Sequence, residues 1–186
     1  MLFLIPGLML AHPMGNFSVS HYTHLEVRGQ GIEARYVLDL AEVPTFEVLR
    51  DWKLGAKSSR AELLAKGREQ MRTWAGNLEF RANGRSVPAA VEEVDLALTD
   101  GAAGLPVMRI SARLSVDAPA GELTFEDHNY AERAGWKEIV IAVSAGGTLS
   151  KASQSSEERS QALTAYPADP LAAPPQDLRA ALTWTA

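Results

Sequence analysis

From Phe17 to Val27 the odd positions hold Phe17, Val19, His21, Thr23, Leu25 and Val27, and the even ones hold Ser18, Ser20, Tyr22, His24 and Glu26. Successive side chains of a strand point to opposite faces, so this period of two predicts a half-buried β-strand. Gly29, Gln30 and Gly31 make a turn, after which Ile32, Ala34, Tyr36, Leu38 and Leu40 alternate with Glu33, Arg35 and Asp39. The pair predicts an antiparallel hairpin. A third clear strand runs from Met108 to Val116, and shorter candidates lie at 78–82, 87–97, 122–126 and 137–143. About six to seven strands of this kind predict a mainly β, α+β fold, an antiparallel β-sandwich.

The period changes between the second strand and residue 78. Ser59 and Glu62 match a capping box, and Leu63, Leu64, Gly67, Met71, Trp74 and Ala75 then recur at helical spacing until Gly76 and Asn77. A shorter helix is predicted from about Thr45 to Trp52, opened by Pro44. The insertion, at about 42–76, is thus a helix pair. Its Arg50, Lys53, Lys57, Arg60, Lys66, Arg68 and Arg72 outnumber Asp51, Glu62 and Glu69. Such a surface is either a solvated face or one that attracts anionic lipid headgroups or a partner. Beyond Ala145 the pattern is lost: residues 148–162 are polar, and Pro167, Pro170, Pro174 and Pro175 punctuate an Ala-rich stretch. Residues 148–186 therefore read as a tail or linker, and 12–147 as one sandwich domain.

The opening MLFLIPGLMLA, residues 1–11, is apolar and uncharged. A spanning helix takes about 20 residues, whereas this length suits the core of a secretory signal with Ala11 at the cleavage edge. A buried N-terminal strand is the alternative. Composition narrows the remaining chemistry. The 186 residues carry 18 Lys+Arg against 23 Asp+Glu, a net charge of -5, which gives no general affinity for nucleic acid. Cysteine is absent, so disulfides, thiolate metal sites and thiol nucleophiles are excluded. No GxSxG, P-loop, GxGxxG or HExxH motif occurs, and the chain reads as a non-enzyme.

Chemistry then rests on four histidines. Cleavage after Ala11 would make His12 the first residue, and its free α-amine and imidazole could chelate one Ni, Co, Cu or Zn ion. Pro13 has no N–H, which keeps the next backbone nitrogen out of such a site. His21 lies on the apolar face of the first strand, where a hydrogen-bonded core imidazole is the competing role. His24 falls on the opposite face, so one ion cannot easily take both in a regular strand. His128 follows a strand within Glu126, Asp127, His128 and Asn129. The candidate metal ligands are therefore His12, His21, His24 and His128. Asp39 and Glu42 end a strand ahead of a helix, where their carboxylates either cap the turn or add oxygen ligands near the N-terminus.

HPMGNFSVSHYTHLEV at 12–27, RYVLDLAEVPTFEVL at 35–49, EDHNYAERAGWKEIV at 126–140 and ERSQALTAYPADPL at 158–171 together resemble the extracytoplasmic N-terminal domain of bacterial nickel/cobalt transporters of the NicO type. The resemblance covers most of the chain after residue 11. It implies an exported domain on the periplasmic face of the cytoplasmic membrane, acting beside a multi-helix permease, with Ni or Co as the transported ion. Nothing after Leu149 could span a bilayer, so transport itself would need a permease elsewhere in a longer chain or in a separate protein. Some relatives carry what looks like a calcium-type loop between the two inserted helices. Here Asp51 and Glu62 stand at its first and twelfth places, but Lys53, Gly55 and Ala56 fill the intervening ones, and no calcium site is expected. In the matched stretches Trp136 is expected to anchor a strand under the 129–133 loop. The expected role is to bind or present a divalent ion to the permease; the alternatives are a structural or docking sandwich without metal, and an exported copper-binding domain built on His12.

Overall fold

The computed structural model describes residues 15–29, 31–144, 146–166 and 173–186; His12 and the opening apolar segment lie outside them. Among the described residues, ten strands form two five-stranded sheets. The predicted hairpin is β1 (Val19–Arg28) with β2 (Gly31–Leu40), paired antiparallel from Val19 against Leu40 to Arg28 against Gly31. The helices follow as α1 (Glu42–Trp52) and α2 (Arg60–Gly76). Next come β3 (Leu78–Ala82), β4 (Arg85–Val87), β5 (Ala89–Asp100), β6 (Pro106–Val116), β7 (Gly121–Asp127), β8 (Lys137–Val143), β9 (Thr148–Ala152) and β10 (Arg179–Thr185). Sheet A has the order β5-β6-β2-β1-β8 and sheet B the order β4-β3-β7-β10-β9. Neighbours are antiparallel except β1 and β8, which run parallel with His21 beside Lys137.

The mainly β architecture with its helix pair is as expected, and the alternation explains it. Leu25, Tyr36, Leu38, Ile110 and Leu114 of sheet A meet Phe80, Leu123, Phe125, Leu182 and Trp184 of sheet B in one buried core. The Phe80 and Phe125 rings sit 4.9 Å apart in a tilted pair. Tyr22, Val37, Trp136 and Val140, on the other face of sheet A, form a second cluster with Ala162 and Leu163.

The helices begin and end for local reasons. At α2 the Ser59 side chain accepts from the Glu62 N–H while the Glu62 carboxylate accepts from the Ser59 N–H, satisfying two donors that the helix leaves unpaired. α1 starts at Glu42, ahead of the expected Pro44; Pro44 falls within the first turn, where its missing N–H forfeits no intrahelical bond.

The tail reading needs correction. Residues 148–186 contain β9 and β10, and β10 is an interior strand of sheet B that buries Ala180, Leu182 and Trp184. Its alternation spans only seven residues after a Pro-rich run, too short to stand out from the surrounding composition. The sandwich therefore extends past 147. Among the described residues, no helix is long and apolar enough to cross a membrane.

Candidate functional site

A buried polar knot joins the two sheets at the start of β1. His21 projects inward, and its Nδ1 lies 2.8 Å from Asp127 Oδ2, both side chains being 2% exposed. Asp127, the last residue of β7, also accepts the Tyr36 hydroxyl at 2.9 Å on Oδ2 and the Asn129 N–H at 2.9 Å on Oδ1. Asn129 donates through Nδ2 to the Tyr36 hydroxyl and to the Trp74 carbonyl, and its Oδ1 accepts from Asn77. The knot thus ties β1, β2, β7 and the end of α2. Burial, then the Asp127 charge, holds the Tyr36 hydroxyl well above its ordinary pKa.

Where Asp127 only accepts, as an ionised carboxylate does, a neutral His21 ring carries its proton on Nδ1 and a lone pair on Nε2. That Nε2 is buried and has no hydrogen-bond partner. A carboxylate behind one imidazole nitrogen, with the other nitrogen free, is the arrangement that orients histidine ligands in metal sites. Lys137 borders His21 on β8 and donates to the Ala131 carbonyl at 2.6 Å. Desolvation lowers its pKa, against the opposing pull of Asp127 and Glu132.

The entrance of the chain fixes this end of β1. The Val19 and His21 N–H groups donate to the carbonyls of Ala134 and Trp136 at 2.8 and 2.7 Å. Gly135, with φ of 157°, permits the approach: a Cβ there would lie 2.0 Å from the Val19 carbonyl oxygen.

The other histidines lie elsewhere. His24 is on the outer face, half-buried, with its ring 6.5 Å from that of Tyr22. His128 is half exposed on the outer side of sheet B, its Nε2 3.5 Å from Glu79 Oε2 and its Nδ1 3.8 Å from Glu126 Oε1. Arg81 holds the Glu79 carboxyl below its usual range, with His128 adding to the effect, and Arg179 does the same for Glu126. His12 lies outside the described residues. Among the described residues, no group of three or more His, Asp or Glu side chains is gathered in a way that could hold a metal ion. Asp51 and Glu62 are turned to other uses, Asp51 pairing with Arg50 and Glu62 capping α2.

Glu138 escaped the sequence reading. It is fully buried on the outer face of sheet A, where it accepts from Trp136 Nε1 at 2.7 Å, from the Arg159 N–H at 2.6 Å and from the Ser160 hydroxyl. Trp136, just ahead of β8, packs with Tyr22, Val37, Ala162 and Leu163 in the outer cluster, and its indole N–H goes to this carboxylate two residues on. Beyond Ser160 the backbone turns left-handed at Gln161, Ala162 and Leu163, with φ of 47°, 56° and 65°. L-residues pay roughly 1–2 kcal/mol each for that conformation. Arg109 offsets part of the cost by donating to the Ala162 and Leu163 carbonyls. Comparison with models of known families and with curated proteins finds no match for the chain.

Proposed function

We propose that this chain is the extracytoplasmic domain of a NicO-type nickel/cobalt transport or efflux system, binding a divalent ion as cargo and presenting it to a membrane permease. Two things support the reading: the four sequence stretches that resemble that family, and the buried His21 imidazole with Asp127 behind Nδ1 and Nε2 unpartnered. One imidazole does not hold an ion, which takes about four ligands in a closed site. The amine and imidazole of His12 are the donors the sequence offers to complete it, with His24 and His128 assigned to other surfaces.

Calorimetric titration of Ni, Co, Cu and Zn into the chain beginning at His12 tests the reading, beside one form with an added Ala before His12 and another with His21→Gln. Binding of one ion per chain at micromolar or tighter Kd, weakened at least about tenfold in both altered forms, supports it; about 1.4 kcal/mol separates the two cases. Absence of binding in every form overturns it. Nitrogen ligands favour Cu over Ni and Co intrinsically, so strength alone does not choose between nickel/cobalt cargo and a copper-binding domain; retention of Ni or Co against equimolar Cu does.

One observation favours the second reading, a docking sandwich without metal. Tyr36, Asp127 and Asn129 are mutually satisfied, as a purely structural knot would be. Unchanged metal-free folding together with permease association in a His21→Gln chain would favour it.

A further inference from the structure

Parity along the first strand would carry Phe17 inward with Val19 and His21, yet β1 begins at Val19 and Phe17 stands 65% exposed. Phe46 and Leu105, at 62% and 52%, are the next most exposed large apolar side chains among the described residues. The three come from different segments and meet at the start of α1. The Asn16 carbonyl accepts the Val43 N–H at 3.0 Å, and the Ser18 carbonyl accepts the Ala41 N–H at 3.1 Å, so Phe17 is held beside the first turn of the helix. Phe46 follows Val43 by three residues, one turn along the same side. Leu105 closes the β5–β6 turn, where its carbonyl accepts the Gly101 N–H at 2.7 Å. The buried Glu42 carboxylate draws that turn onto α1 by accepting the Ala102 N–H at 2.7 Å.

Basic charge lies next to this patch. Arg50 follows Phe46 by four residues on the same side of α1, and Lys53 and Lys57 stand exposed in the connection to α2. The carboxylates along the open side of α1 are already matched, Glu47 by Arg133 and Asp51 by Arg50, each at 2.9 Å. Lys53 and Lys57 form no ion pair among the described residues. Asp100, exposed ahead of the Leu105 turn, is the opposing charge, and two free ammonium groups outweigh it.

The size of the patch speaks to what covers it. Three such side chains expose on the order of 300–400 Å² of apolar surface, about half of what each partner contributes to a standard protein interface. A second copy of the chain would need more. A lipid surface does not, because protruding apolar side chains enter the acyl boundary while neighbouring Lys ammonium groups stay among the phosphates. We propose that the start of α1 is a docking surface for an anionic phospholipid bilayer, with Phe17, Phe46 and Leu105 inserted and Lys53 and Lys57 at the level of the headgroups. Such binding is weak and reversible, and it holds the opening of β1 against the membrane. It needs neither a metal ion nor a permease, so it stands apart from the ion-presenting reading.

The test is co-sedimentation of the full chain, kept in chelator, with vesicles of phosphatidylcholine alone or of an equal mixture with phosphatidylglycerol. Wild type should partition to the mixed vesicles at least about fivefold more strongly than to the neutral ones. Phe17→Ser/Phe46→Ser should lower that partition at least about tenfold. Lys53→Ala/Lys57→Ala should lower it by a similar factor on the mixed vesicles alone. All four positions are exposed, so Tm should hold in both variants; if the first does not fold, Leu105→Ser takes its place. Binding that is undiminished in either variant overturns the proposal, and if undiminished in both it traces to residues 1–11. Wild type that stays in the supernatant, or binds neutral vesicles equally well, overturns it too. So does a concentration-dependent dimer that Phe46→Ser dissolves, because the patch then belongs to a second copy.

Discussion

Asp127, reaching from sheet B to the inner face of sheet A, and Glu138, on the outer face of sheet A, are buried carboxylates that each accept three donors. Their donors differ in what they do next. Two of those around Asp127 are side chains on paired strands, and one of them, His21, has a second nitrogen to offer. Two of those around Glu138 belong to Arg159 and Ser160, which lead directly into the left-handed turn that lays Ala162 and Leu163 on the outer cluster. The same acceptor chemistry thus orients an imidazole on one face and clasps a covering segment on the other. What a buried carboxylate is for is read from its donors' remaining capacity, since burial and bond number are alike in both.

Alkaline pH should break both faces together and have the largest effect. Tyr36 belongs to the Asp127 knot, while Tyr22 and Tyr166 belong to the outer cluster, Tyr22 donating to Glu158 at 2.6 Å. Burial raises the pKa of Tyr22, Tyr36 and Tyr130, and pushes that of Tyr166 up to about 12. A folded value above the unfolded one contributes stability that is fully present below the ordinary pKa near 10 and is lost as pH rises beyond it. Tyr22 and Tyr36 should each cost about 1.4 kcal/mol per pH unit there. Lys137, shifted down, acts in the opposite direction as pH approaches its ordinary value, one group against four. Tyrosinate absorbance should therefore appear together with loss of circular dichroism. Ionisation well before unfolding would contradict the burial of these hydroxyls.

Asp127→Ala should separate the faces. It leaves the His21, Tyr36 and Asn129 donors unmatched in the interior, at a cost of about 3–5 kcal/mol in urea unfolding. Glu138→Gln should cost less, about 2 kcal/mol, because an amide still accepts through one oxygen but turns a donor toward donors. Its signature is faster amide exchange at Leu163, Thr164 and Ala165 with the His21 ring resonances unchanged. Altered His21 resonances would show that the two carboxylates act as one network. The smallest effect has the opposite sign. Gln161 is exposed in the left-handed region, so Gln161→Gly should stabilise the protein by about 0.5–1 kcal/mol. A loss of stability would mean that the Gln161 side chain holds the turn.

Much of the fold was legible because its signals are local. The β1–β2 alternation and the Ser59–Glu62 box each act within a few residues, and the structure has them where the sequence places them. β10 was hidden because Ala180, Leu182 and Trp184 alternate too briefly to stand out after prolines. The site was half legible. Strand parity placed His21 inward and His24 outward, but Asp127 is 106 residues from His21, and the pairing depends on how two sheets stack. Glu138 gave no signal of its own, since a Glu in a strand beside Lys137 reads as an exposed charge. The folded-back Arg159–Ser160 segment supplies two of its three donors.

The interior place of β10 has a consequence for the order of events in folding. Sheet B stays in two pieces until Arg179–Thr185 has been made, because β7 and β9 meet only through that strand. Sheet A likewise waits for β8 to lie beside β1, more than a hundred residues earlier in the chain. Closing loops of this length makes assembly slow compared with a chain of local hairpins. Completion of both sheets is therefore a late event, set by the meeting of strands far apart in sequence.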